Sequence, residues 1–300
     1  MKKMIIRADD VGYTKIHNLG TWETIDHGMV TAADVMLESP GTEDALEYLK
    51  QRPWISLGWH THFWCSPVLP TAQVKSLVIP GTDRFRHDIH TAEDIDEDEL
   101  YAEMQAQIRR CVLIAGRAPD TTNIGQKETV FNRVQKRVCD EYGIAYQFAR
   151  KNGRGAVDKP LDKWAHLNIF VPSPENAYGA LETDSISAQF ENYDPVKYYT
   201  EDPDHLLDLP DDCIVEQSWH PGYVDFFVYK EGEQSPRAKL FTAIRTQDVA
   251  ALTSPVLRDW VKTHRIELVN FRDALYGTRE YQNHLRCTGS DLYIGTIEGR

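Results

Sequence analysis

Positive charge is in short supply in this chain. Thirty-three Lys and Arg stand against 46 Asp and Glu, a formal net charge of −13 over 300 residues. Such a surface repels a phosphate backbone, so a nucleic-acid partner is not expected. The imbalance carries no information about fold. Cysteine is sparse and odd in number: Cys65, Cys111, Cys139, Cys213 and Cys287 are scattered, with no Cys-x-x-Cys spacing. Neither a disulfide framework nor a thiolate zinc site is indicated. The sequence also lacks an apolar run of membrane-spanning length and an apolar N-terminal segment of signal-peptide length. The expectation is a soluble cytoplasmic protein with no membrane partner.

What is present is an alternation of short apolar strands and helical patterns. A hydrophobic content of 41% suits one large α/β barrel or two ordinary domains. Strands are predicted at Met4–Asp10, Val30–Leu37, Trp54–His62, Pro119–Ile124, Ile144–Phe148, His166–Val171, Cys213–Tyr223 and Glu267–Asn270. Between them lie helical patterns. Ile16, Leu19, Trp22, Ile25 and Met29 recur at helical spacing; further helices are predicted from Thr42 to Lys50, through Leu100–Ile114 and Val130–Val138, and over 238–244 and 249–263. Residues 63 to about 94 read as a long functional loop or lid. No repeat or linker interrupts the alternation, so residues 1–290 are expected to form a single mostly parallel, barrel-like α/β domain. Residues 291–300 read as a tail, and its closing Ile297-Glu298-Gly299-Arg300 looks like a protease-cleavage sequence.

Three of the predicted strands end in polar clusters. The first stops at Asp9-Asp10 followed by Val11-Gly12, the third at His60-Thr61-His62, and the seventh at His220-Pro221-Gly222. Adjacent residues on a strand point to opposite faces, so Asp9 and Asp10 would do different work, one holding a metal and the other handling a proton. The plainer reading is that one caps the next helix and the other is solvated. His60 and His62, two apart, would share a face if the segment stays extended, and neutral imidazoles are common ligands of divalent metals. In a parallel barrel every strand C-terminus opens on one face, where these groups would converge. Asp and His ligands with a separate proton donor are what metal-assisted hydrolysis requires.

The segments Ile6-Arg7-Ala8-Asp9-Asp10-Val11-Gly12, His27-Gly28-Met29-Val30-Thr31, Leu57-Gly58-Trp59-His60, Glu216–Gly222 and Ile266–Phe271 together resemble the YdjC-like carbohydrate deacetylases, which include the chitooligosaccharide (diacetylchitobiose) deacetylases. The likeness runs from about residue 3 to 275. It implies an irregular, TIM-like (β/α) barrel that removes N-acetyl groups from amino sugars or short oligosaccharides, with one divalent metal ion, zinc or magnesium. It also implies that Asp10 and His60 ligate the metal and that Asp9 is the general base. His220 would protonate the departing amine or stabilise the oxyanion. The implied partner is a small N-acetylated sugar, and a homodimer is compatible with the likeness.

The chain departs from that pattern in one place. The family has a further metal-binding histidine after the fourth strand, whereas Pro119–Lys127 contains none and Gly125 falls where it would be. His62 would take its place, or Gln126 or Asp120 would supply an oxygen. Arg7 stands where the family often has a small polar residue; it would anchor an anionic substrate group, or pair with an acid at the strand end. Trp59, Trp64, Trp219 and Tyr223 flank the expected site, with Gln126, as candidate substrate contacts, since sugar rings stack on aromatic faces. Two alternatives are carried forward: a metal-dependent amide hydrolase acting on another small acylated substrate, and a metal-free carbohydrate or metabolite binder.

Overall fold

A computed structural model describes residues 2–125, 127–148, 167, 169–182, 185–232 and 236–295. Gln126 and the end of the tail, including Ile297–Arg300, lie outside these residues, as do His166 and Asn168 of the predicted sixth strand. Among the described residues, eight strands build one sheet: β1 (Lys3–Val11), β2 (Ala32–Val35), β3 (Ser56–Trp59), β4 (Thr121–Ile124), β5 (Ala145–Phe148), β6 (Ile169–Phe170), β7 (Ile214–Trp219) and β8 (Glu267–Leu268). Their order is β5-β4-β3-β2-β1-β7-β6, with β8 against β1, and every ladder is parallel. The sheet curls into a half-barrel surrounded by helices, the mostly parallel TIM-like α/β architecture that the alternation predicted.

Strand alternation sorts side chains between two compartments. Ile5, Ala32, Ile169, Ile214, Val269 and Phe271 form one buried cluster. Above it along β1, at the same parity as Ile5, come Arg7 and then Asp9, with Asp34 of β2 and Glu216 and Ser218 of β7 alongside. Residues of the opposite parity (Ala8, Ala33, Leu57, Trp59, Val215 and Trp219) join the main core beneath the helices.

Several element boundaries differ from expectation. The helical pattern read as two pieces over 238–244 and 249–263 is instead one helix, Pro236–Leu252, followed by Pro255–Thr263. The break falls where Ser254 caps and Pro255 occupies the first turn, which suits a residue without an N–H. The long connection after His62 packs closely on the fold. Its Val74, Leu77, Phe85 and Ile89 are buried, and the carboxylate of buried Glu103 accepts from the backbone N–H groups of Val68 (2.9 Å) and Leu69 (3.0 Å).

Candidate metal centre and its surroundings

Asp9 and Asp10 do not point to opposite faces. Between Ala8 and Val11, β1 carries one residue more than β2 opposite Ala33–Val35, a bulge. Asp10 takes up the extra length in the left-handed region, at φ 58°, a conformation Asp tolerates better than most residues. The bulge lets both carboxylates approach His60. Asp10 Oδ1 is 3.0 Å from His60 Nε2. Asp10, His60 and His62 place donor atoms within 4.8 Å of one another, and so do Asp9, Asp34 and His60.

The two histidines also meet by an unexpected route. β3 ends at Trp59, and the His62 N–H donates to the His60 carbonyl at 2.9 Å, a tight turn rather than extended chain. The rings still lie side by side, with centroids 5.6 Å apart. The turn is completed by Phe63 at φ 54°, whose N–H donates to Oε1 of buried Glu38 at 3.0 Å. Exposure rises from buried Asp10 through half-buried His60 to exposed His62, so the group opens to solvent at its histidine end.

The electrostatics follow from burial of four carboxylates, Asp9, Asp10, Asp34 and Glu216, with Arg7 and Arg245 paired among them. Burial would raise the Asp10 pKa, yet Arg245 and His60 outweigh it and hold the carboxyl well below its usual range. Burial would lower His60, but the hydrogen bond to Asp10 and the charges of Asp9, Asp10 and Asp34 raise it to about 9. Desolvation pushes Asp34 up to about 7 against the pull of Arg7. His220 is driven down to about 4 by burial. Its backbone N–H donates to Asp248 Oδ2 at 2.7 Å, and Tyr193 donates to Asp248 Oδ1 at 2.6 Å.

The other sequence-predicted contacts divide sharply. Arg7 is buried, and its guanidinium is engaged by Asp9 (2.7 Å), Glu216 (2.9 Å) and Asp34 (3.6 Å) and donates to Ser218. It forms the strand-end ion pair with these acids. Trp59 and Trp219 are buried on the helix side of the sheet, because they neighbour inward-facing Gly58 and Ser218. Trp59 donates to Gln107 at 3.1 Å, and Trp219 stacks on Tyr199. Trp64 is half-buried against Tyr13 and Phe227, within 6.0 Å of the His62 ring, and Tyr223 is exposed. Asp120 precedes β4, bonded to Arg272 and to the Leu57 N–H (2.9 Å). Arg272 donates in turn to the carbonyl of Pro53, before β3, so Asp120 belongs to the end of the sheet away from the strand tips.

Five residues of the site were not anticipated. Asp34 had a signal: it is the one acid in the apolar run Ala32–Leu37. Arg245 and Asp248 fall in the stretch read as a helix break. His17 and Glu38 had no sequence signal. Arg245 Nη2 donates to Asp10 Oδ2 at 2.7 Å, and Nη1 lies 3.2 Å from His17 Nε2.

Comparison with known proteins agrees with this architecture. A family model described as YdjC-like protein matches residues 3–263. Carbohydrate deacetylase 2 of Listeria innocua is 24% identical over 277 residues, covering 90% of this chain and 98% of that protein. A carbohydrate deacetylase of Enterococcus faecalis is 28% identical over 278 residues, covering 90% and 97%. Among solved structures, a proposed cellobiose-phosphate cleavage protein of Enterococcus faecalis superimposes with a TM-score of 0.63 at 22% identity, covering 91% of this chain and 98% of its own.

Proposed function

The chain belongs to the YdjC-like family, and on that premise we propose that it hydrolyses the N-acetyl amide bond of an amino sugar or short oligosaccharide, with one divalent cation, zinc or magnesium, as cofactor. The observation that carries the reading is the convergence of Asp10, His60 and His62 within 4.8 Å at the solvent-facing strand tips, with Asp9 beside them. One carboxylate and two imidazoles form a donor set suited to such an ion. The names of the curated relatives supply the substrate class.

Asp10, His60 and His62 would hold the ion, which when bound polarises the acyl carbonyl and acidifies water. The rest falls to this chain's own side chains. Asp9, oriented by its ion pair with Arg7, accepts the proton that the attacking water loses and returns it to the amine nitrogen as the C–N bond breaks. His220, neutral because it is buried, donates a hydrogen bond toward the oxygen on which charge develops. Trp64 and Tyr223 offer ring faces to the sugar at the rim. Among the described residues no helix is long and apolar enough to cross a membrane, in keeping with a small water-borne substrate.

The test is a panel of N-acetylglucosamine and diacetylchitobiose with free-amine detection, run with chelator and with zinc or magnesium restored. Amine release that chelator abolishes and metal restores is expected, and Asp9→Asn should lower kcat by about 100-fold or more. Metal-dependent turnover of another acylated compound, with none on these sugars, would favour the second reading, to which Gly125 in place of a histidine lends some weight. Sugar binding unaffected by chelator, without turnover, would leave only a binder.

A further inference from the structure

The Asp10 carboxylate has two oxygens, and the protein has already committed one of them. Oδ1 faces His60 at 3.0 Å, while Oδ2 receives Arg245 Nη2 at 2.7 Å. Arg245 is itself held from several sides. Its Nη1 lies 3.2 Å from Nε2 of fully buried His17, and its guanidinium carbon sits 5.0 Å from the centre of the Tyr13 ring. His17 is held against the turn after His220, for a Cβ on Gly222 would overlap its ring; one on Gly20 would come 2.6 Å from Gly222. The helix Pro236–Leu252 therefore carries a fixed cation to the back of Asp10.

We infer that Arg245 is a positioning residue that reserves Asp10 Oδ2, so that Asp10 offers a bound cation one oxygen and a partly neutralised charge, and the centre holds its ion more weakly than its ligands alone would. This inference rests on the reading that Asp10, His60 and His62 bind a divalent cation. A guanidinium and a divalent ion on opposite oxygens of one carboxylate repel each other across a few ångströms, in surroundings that screen poorly. Loss of Arg245 would also free the carboxylate to rotate, which acts in the opposite direction. That effect is the smaller, because the bulge and the left-handed backbone at Asp10 fix where its side chain leaves the strand. Weaker donation from Asp10 also leaves the ion more electron-poor, which favours activation of an acyl group.

The experiment is calorimetric titration of the metal-free, full-length protein with Zn²⁺ at fixed pH, with melting curves as a folding control. Arg245→Met removes charge and donors, Arg245→Gln keeps a donor for Asp10 without the charge, and Arg245→Lys keeps the charge. Both neutral variants should bind Zn²⁺ at least tenfold more tightly than the wild type, and the Lys variant within threefold of it. If Arg245→Met does not fold, Arg245→Gln decides alone. Equal or weaker binding by the folded neutral variants overturns the inference while leaving the metal centre standing, because a merely structural arginine would not tighten binding when removed. Failure of the wild type to bind Zn²⁺ overturns the metal reading and this inference with it.

Discussion

At the scale of single residues, the site is built on positions where one atom more or less decides the outcome. Gly58 lies opposite Asp34 in the β2–β3 ladder, and a Cβ there would overlap the Asp34 carboxyl. Gly58→Ala is expected to destabilise the protein by about 1–3 kcal/mol, measured by urea unfolding. Asp34→Ala in the same chain should recover part of that loss, a coupling that a double-mutant cycle resolves. Strictly additive effects would mean that the two side chains do not compete for one space. Glu38 makes a prediction in pH. Burial raises its pKa from 4.5 to about 7, so the folded state holds the proton more firmly than the unfolded chain does. The resulting stability is full below about 4.5 and is lost as pH rises through about 7. Glu38→Gln keeps an oxygen for the Phe63 N–H and cannot ionise. Above pH 8 it should gain on the order of 2 kcal/mol over the wild type, and the gap should close at pH 5. A gap that does not vary with pH would remove Glu38 as its source.

At the scale of elements, the helix Lys15–Asp26 is turned from what its sequence suggests. Its apolar Ile16 and Leu19 are more than half exposed, while His17, Asn18, Thr21 and Thr24 are buried. The polar face has partners that periodicity could not reveal. Asn18 accepts from the Gly12 N–H (2.8 Å) and donates to the Gly41 carbonyl, Thr21 donates to the Pro221 carbonyl, and His17 meets Arg245. The helix Pro236–Leu252 works similarly, with Arg245 gripping Asp10 and Asp248, one turn on, gripping the backbone of His220. Both elements join strand tips far apart in sequence, so their inward residues are polar and read as surface when the chain is taken alone. Asp9, Asp10, His60, His62 and His220 were legible because each interrupts or ends an apolar strand. Arg245 and Asp248 were not, because a helix with charged residues on an inward face looks like a helix that has stopped.

At the scale of the whole molecule, the curled sheet gathers an excess of buried carboxylate at its strand tips. Four acids and two arginines leave a formal charge of about −2 there, which a proton on His60, raised to about 9, and one on Asp34, raised to about 7, would offset. A divalent cation would balance it, so binding should stabilise the fold. With Zn²⁺ at about 100 times its Kd, linkage gives about 2.7 kcal/mol, which for a chain of this size raises Tm by roughly 5 °C or more. Thermal denaturation should show the rise, its reversal by chelator, and its absence in Asp10→Asn. An unchanged Tm in the wild type would argue that the acids are balanced by protons alone.

Taken by itself, the chain's order of apolar and polar residues determined the parallel α/β architecture, the placing of acids and histidines at strand tips, and the likeness to the YdjC-like family, since burial periodicity and strand polarity are local properties. Only the tertiary structure decided which way those residues point. A one-residue bulge turned Asp10 toward His60 instead of away from it, strand parity sent Trp59 and Trp219 into the core, and the closing of a helix over the strand tips brought Arg245 to Asp10. Those outcomes depend on register and packing between segments up to 235 residues apart, which no local pattern encodes.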